Sequence, residues 1–177
     1  GLRTGNKWAP FPEEMNRRIT GAVADIHFAP TSAAKDNLLR EGVREQDIHV
    51  TGNTVIDALL DVVGKLRDDA ESRKRLDEQF SFLNPGRRLV LVTGHRRENF
   101  GEGFQNICHA LADIASAHPD VDVLYPVHLN PNVRQPVRDI LAARELDNVH
   151  LIDPVDYLPF VYLMDRSHLI ITDSGGV

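Results

Sequence analysis

Cysteine is nearly absent. The chain of 177 residues has one, Cys108, which excludes an internal disulfide framework and a cysteine-based zinc site. It lies in the apolar pattern FQNICHALADIA and reads as a small core residue. Long apolar runs are missing too. None approaches the roughly 20 residues of a membrane span, and the first residues lack the pattern of a secretory leader, so the expected compartment is the cytoplasm and no membrane partner is expected. There is no excess of positive charge: 20 Lys and Arg stand against 26 Asp and Glu, for a net charge of −6. Nucleic-acid-binding domains are usually basic, so a nucleic-acid partner is not expected. Among the eight histidines no pair shows a convincing zinc spacing, and no metal is expected. An initiating methionine is also lacking, and the chain stops at Val177 directly after DSGG, where a strand and a Gly-Gly turn call for a helix. These ends read as those of an interior piece of a longer protein.

What is present is an alternation of strands and helices. Residues 1 to 20 are polar and broken by Pro10 and Pro12, then PEEMNRRITGAVA opens a helix with proline and two acids in its first turn. DIHFAPT and IHVTG read as short strands. Between them SAAKDNLLREG reads as a helix capped by Thr31 or Ser32 and ended by Gly42. NTVIDALLDVVGKLRDDAESRKRLDEQF reads as one amphipathic helix, and NPGRR as a turn. From there RLVLVTG, VDVLYPV, NVHLIDP and HLIITDSGG are strands. The intervening GFQNICHALADIASAHP, PNVRQPVRDILAAR and YLPFVYLMDRS are helices, with Pro136 a local blemish in the second. Near-continuous apolar strands mark a parallel sheet covered on both faces. The predicted class is therefore α/β with doubly wound parallel sheets. Right-handed crossovers bring all strand carboxyl ends to one edge, where ligands bind.

Three polar clusters fall on that edge. In TGHRRENFGEG, Gly94 permits close backbone approach, the following helix start favours anions, and Arg96 and Arg97 supply donors suited to phosphate. His95 could bind phosphate or move a proton; the plainer reading is a surface arginine pair bridged to Glu98 and Glu102. In PVHLNPNVR, Asn130 and Asn132 serve equally well as turn and cap residues, and His128 is the better rim residue. In TDSGG, Ser174, Gly175 and Gly176 form a short diphosphate-cradle pattern that is weak alone, and Asp173 reads as a possible cap. Near the start, Glu13 and Glu14 read either as first-turn helix acids or as functional carboxylates.

Taken together, GLRTGNKWAPFPEEMNR, TGNTVIDAL, VTGHRRENFGEGFQNICHAL, YPVHLNPNVR, IDPVDYLPFVYLM and TDSGGV resemble the bacterial non-hydrolysing UDP-N-acetylglucosamine 2-epimerases, in order and over nearly the whole chain. The resemblance implies a GT-B-like fold, two Rossmann-like domains facing across a cleft. Residues 1–53 would close the amino-terminal domain, 54–86 would connect, and 87–177 would open the UDP-binding domain. It implies interconversion of UDP-GlcNAc and UDP-ManNAc for surface polysaccharide synthesis: a base takes the proton from sugar carbon 2 as UDP leaves carbon 1, and UDP re-adds to the glycal. That chemistry needs proton-transferring carboxylates and cations at the leaving diphosphate, and no cofactor.

Carried over residue by residue, the resemblance places Glu13 and His95 in catalysis. Arg96, Ser174, Gly175 and Gly176 fall at the diphosphate, and Phe160 beside the uracil. Val155 stands where some relatives have glutamine, which puts a side-chain contact to the base in doubt. Glu14, Arg96 and His128 would contribute to a second, allosteric UDP-GlcNAc site. A homodimer is implied as well. A catalytic aspartate and a second catalytic glutamate of the family have no counterpart in this sequence, so the 177 residues alone are expected to be inactive. The alternatives are a hydrolysing 2-epimerase, a GT-B glycosyltransferase with a UDP-sugar donor, and a non-catalytic nucleotide-sugar sensor or structural α/β module. Against the first stands the HRREN pattern, and against the second the PEE and HRREN patterns together.

Overall fold

The computed structural model describes residues 3–94, 96 and 99–173. His95, Ser174, Gly175 and Gly176 of the sequence reading lie outside the described residues. The chain forms two compact units, Gly1–Ala58 and Leu59–Val177. Among the described residues, no helix is long and apolar enough to cross a membrane.

In the first unit, helix α1 (Glu13–Val23) leads to strand β1 (His27–Ala29), helix α2 (Ser32–Arg40), a 3-10 turn at Glu45–Asp47, and strand β2 (Ile48–Val50). The two strands pair in parallel, His27 opposite Ile48 and Ala29 opposite Val50. Of the two capping residues the sequence offered, Thr31 is the one used: its Oγ1 accepts the Ala34 N–H at 3.1 Å. Gly42 takes φ 89° just past the helix, a region that favours glycine.

The segment read as one helix breaks in two. Helix α3 (Thr54–Asp68) and helix α4 (Ala70–Gln79) are separated by Asp69, at φ −95° and ψ 88°. The Asp69 carboxylate accepts the N–H groups of Glu71 and Ser72 at 3.1 and 3.0 Å. Its short side chain satisfies the start of a new helix better than it would serve the interior of one.

The second unit holds strands β3 (Arg88–Thr93), β4 (Val121–Pro126), β5 (Val149–Ile152) and β6 (Leu169–Thr172), with helices α5 (Glu102–Ala117), α6 (Pro131–Pro136) and α7 (Tyr157–Arg166). All pairings are parallel and the order is β5-β4-β3-β6. Period-two alternation divides β3 between two cores. Val90 and Val92 join Phe104, Cys108 and Leu111 of α5 and Val133 just inside α6. Leu89 and Leu91 join Leu66 of α3, Leu76 of α4 and Val161 and Leu163 of α7. Both faces are thus covered, and β3 and β4 read as near-continuous apolar runs for that reason. Cys108 is fully buried, and burial pushes its thiol up to about 11, which fits its reading as a core residue. Helix α6 is regular only to Pro136. A π-helical turn (Val137–Leu141) and a 3-10 turn (Ala142–Arg144) follow, since proline cannot donate to the ladder.

Strand order decides where the site lies. From β3 the chain winds through β4 to β5 on one side, then crosses back to place β6 on the other side of β3. The order reverses between β3 and β6, and in open α/β sheets such a switch point is where ligands bind, at the strands' carboxyl ends.

Candidate functional site

The β3–β6 boundary carries the densest polar arrangement on this rim. Thr93 ends β3 and its Oγ1 donates to Thr172 Oγ1 at 2.9 Å. The next residue of β6's exit, Asp173, donates its N–H to Thr93 O at 3.2 Å. Its carboxylate Oδ2 accepts the Arg96 N–H at 2.8 Å and the Asn99 amide at 3.1 Å. Asp173 therefore folds the loop after β3 back over the end of β6. It is more than the cap that its sequence position suggested.

Beneath the loop, the buried Tyr125 hydroxyl of β4 donates to Gly94 O at 2.5 Å. Burial, reinforced by Cys108 and Asp173, pushes the Tyr125 phenol well above its ordinary range, so it stays a donor. A Cβ on Gly94 would lie 3.2 Å from that hydroxyl and 3.6 Å from the Phe104 ring, so the backbone passes where no side chain fits comfortably. The loop then enters α5 through Gly101, at φ 88°, with no side-chain cap. Among the described residues no capping side chain satisfies the first N–H groups of α5, which suits an anion. Arg96 stands exposed on this loop.

At the end of β4, His128 is exposed and its Nδ1 accepts the Asn130 N–H at 3.1 Å. Asn130 caps α6, its Oδ1 accepting the Asn132 N–H at 2.9 Å. The turn-and-cap reading of these asparagines holds, and His128 is the histidine of this cluster on the rim. Phe160 lies in the first turn of α7, half-buried. With Val155 it packs against the core of Leu89, Leu91 and Leu163.

In the first unit the two adjacent glutamates part company. Glu13 is exposed at the start of α1. Glu14 is 2% exposed. Arg17 donates to both its oxygens, at 2.8 and 3.0 Å, and Arg18 donates to one at 3.1 Å. Led by the Arg17 hydrogen bond, these cations overcome burial and hold the Glu14 carboxyl down at about 2.

A model of the UDP-N-acetylglucosamine 2-epimerase family matches residues 1–177. The chain belongs to the UDP-N-acetylglucosamine 2-epimerase family. It is 59% identical to a probable member from Ralstonia nicotianae, matching all of this chain and 47% of that protein. The Escherichia coli K12 UDP-N-acetylglucosamine 2-epimerase is 55% identical over the same 177 residues, 46% of its length. The crystal structure of UDP-GlcNAc 2-epimerase from Neisseria meningitidis bound to UDP-GlcNAc superposes with a TM-score of 0.88 at 48% identity, over 99% of this chain and 47% of that one. The chain thus spans about half the length of the relatives it matches. Its fold, parallel sheets with flanking helices, is the GT-B-like fold of these 2-epimerases.

Within this family member, sequence reasoning passed over Tyr125 and Asn99. Tyr125 stands in the apolar run VDVLYPV as one more core residue, yet its hydroxyl reaches the next strand's exit. Asn99 has no signal beyond its place after HRRE. Only the pairing of β3 with β6 brings it to Asp173, 74 residues away.

Proposed function

We propose that this chain is part of an enzyme that interconverts UDP-GlcNAc and UDP-ManNAc, by eliminating UDP and adding it back on the other face of the sugar. The observation that carries the reading is the likeness over 99% of the chain to a relative bound to UDP-GlcNAc, together with the anion-suited rim at the β3–β6 switch point. Residues 1–53 would close the amino-terminal domain, 54–86 connect, and 87–177 open the UDP-binding domain. Glu13, the exposed carboxylate, serves proton transfer at sugar carbon 2. His95, Arg96 and the Ser174–Gly176 turn take the diphosphate, where charge develops as UDP leaves. Phe160 lies toward the uracil. Glu14, Arg96 and His128 would contribute to a second site, at which UDP-GlcNAc acts as an activator. The enzyme would act in the cytoplasm as a homodimer and serve surface polysaccharide synthesis.

The test uses a full-length protein carrying these residues, incubated with UDP-GlcNAc in heavy water and followed by proton NMR. Appearance of UDP-ManNAc with deuterium at carbon 2 is the expected result, and Glu13→Gln should slow it by about 100-fold or more. Free ManNAc plus UDP would instead mark a hydrolysing enzyme, and an unchanged sugar with UDP-sugar binding retained a transferase. The 177 residues alone should give no turnover.

A further inference from the structure

Residues 4–13, which run from the amino-terminal segment to Glu13, are all exposed. Trp8 and Phe11 stack on each other at 5.6 Å but remain 61% and 49% exposed. Within these 177 residues apolar burial does not anchor this stretch. Charge does. From Glu14 the contacts run outward in two directions. Arg18, which holds Glu14 Oε1, also donates to Gly5 O at 3.0 Å. Arg17, which holds both Glu14 oxygens, turns its remaining nitrogen to Glu41 at 3.0 and 3.1 Å, just past the end of α2. Glu41 in turn accepts from Arg3 at 3.0 and 3.3 Å. Both Arg3 and Gly5 at the head of the loop, and α1 at its tail, are thus tied to one buried carboxylate.

The same carboxylate sets the direction of its neighbour. Consecutive helical residues point about 100° apart, so drawing Glu14 inward turns Glu13 out. A buried carboxylate with several charge-assisted bonds is costly to displace, since losing its partners would leave an uncompensated charge.

We propose that Glu14 is the positioning residue of this site: through Arg18, Arg17, Glu41 and Arg3 it fixes the loop 3–12 and the orientation of Glu13. The kinetic half of this proposal rests on the epimerase reading of Glu13; the structural half does not. Glu14 itself is not the base: it is buried, both its oxygens are committed to Arg17 and Arg18, and a carboxyl held at about 2 is a weak proton acceptor.

Two measurements on the full-length protein test it, with Glu14→Gln and with the milder Glu41→Gln, whose side chain is one-third exposed and which should fold even if Glu14→Gln does not. Trypsin cleavage after Lys7 should rise about 10-fold in both variants while cleavage elsewhere holds, because the loop is released locally. Turnover should fall about 10- to 100-fold in both variants, and in Glu41→Gln, which belongs to neither UDP-GlcNAc site, with KM within about 3-fold, as expected when the catalytic group is misaligned and substrate binding is untouched. Unchanged cleavage after Lys7, or a loosened loop with full kcat, would overturn the proposal. If Glu13→Gln is inactive while Glu14→Gln is fully active, the positioning role fails and the epimerase reading stands. If Glu13→Gln turns over like wild type, the epimerase reading of Glu13 fails, and the kinetic half of the proposal with it.

Discussion

Gly94 marks the tightest point of the rim. A methyl group there would meet the Tyr125 hydroxyl at 3.2 Å, and that hydroxyl is buried and committed to Gly94 O. The neighbour can give way only by weakening its own hydrogen bond. Gly94→Ala should therefore cost about 1–3 kcal/mol, the usual range for overpacking a full core, measured by urea unfolding. Glu14 supplies the second residue-scale expectation. Its carboxyl is held at about 2 in the fold against an ordinary value of 4.5, so its stabilisation is fully present above about pH 4.5. It drains away as pH falls toward 2, because the unfolded chain takes up the proton first. Urea midpoints of the wild type should drop more steeply over that window than those of Glu14→Gln. Parallel curves would mean that the buried carboxylate is not what the acid attacks.

At the scale of elements, the joints matter more than the helices and strands themselves. Asn148, 2% exposed, donates its side-chain amide to Ala115 O and Val121 O at 2.9 Å and to His118 O at 3.2 Å. It ties the end of α5 to the start of β4 from the segment just before β5. Helix carboxyl ends leave orphan carbonyls, and here one side chain serves them. Asn148→Ala leaves buried acceptors without a donor, so a loss of about 1–3 kcal/mol is expected by thermal or chemical denaturation. A neutral result would show that water replaces the amide. The far face is joined by charge and hydroxyl: Arg67 of α3 meets Asp165 of α7 at 2.6 Å, and Tyr162 of α7 donates to Asp77 of α4. At the amino end of the sheet, opposite the rim, the buried Asp122 accepts the Asn84 N–H at 2.8 Å and Arg87 at 3.1 Å. Buried and committed to these partners away from the ligand edge, it holds the fold together and is not a candidate for chemistry.

At the scale of the whole chain, each unit presents one half of the proposed chemistry. The first offers an exposed carboxylate backed by an ion-paired one. The second offers a rim suited to a diphosphate. A domain built on one hydrophobic core can supply a strand-end loop for phosphate. The charge ladder from Arg3 to Glu14 ties down a stretch whose residues 4–13 are all exposed.

Local features were legible in the residues themselves. Apolar runs announced β3 and β4, Thr31 and the asparagine at 130 announced their caps, and the motif series announced the family, because each such signal spans only a few positions. The break at Asp69 was local too, but a charged helical stretch masks a cap when the apolar period continues past it. What no window of sequence holds is partnership across the fold. That Asp173 would reach back 77 residues to the Arg96 N–H follows from β6 lying beside β3. That Arg17 would link Glu14 to Glu41, 24 residues further on, follows from where the end of α2 lies beside α1. Period and propensity act over one or two turns of chain, whereas strand order and ion-pair partners are chosen by packing, which only the folded molecule decides.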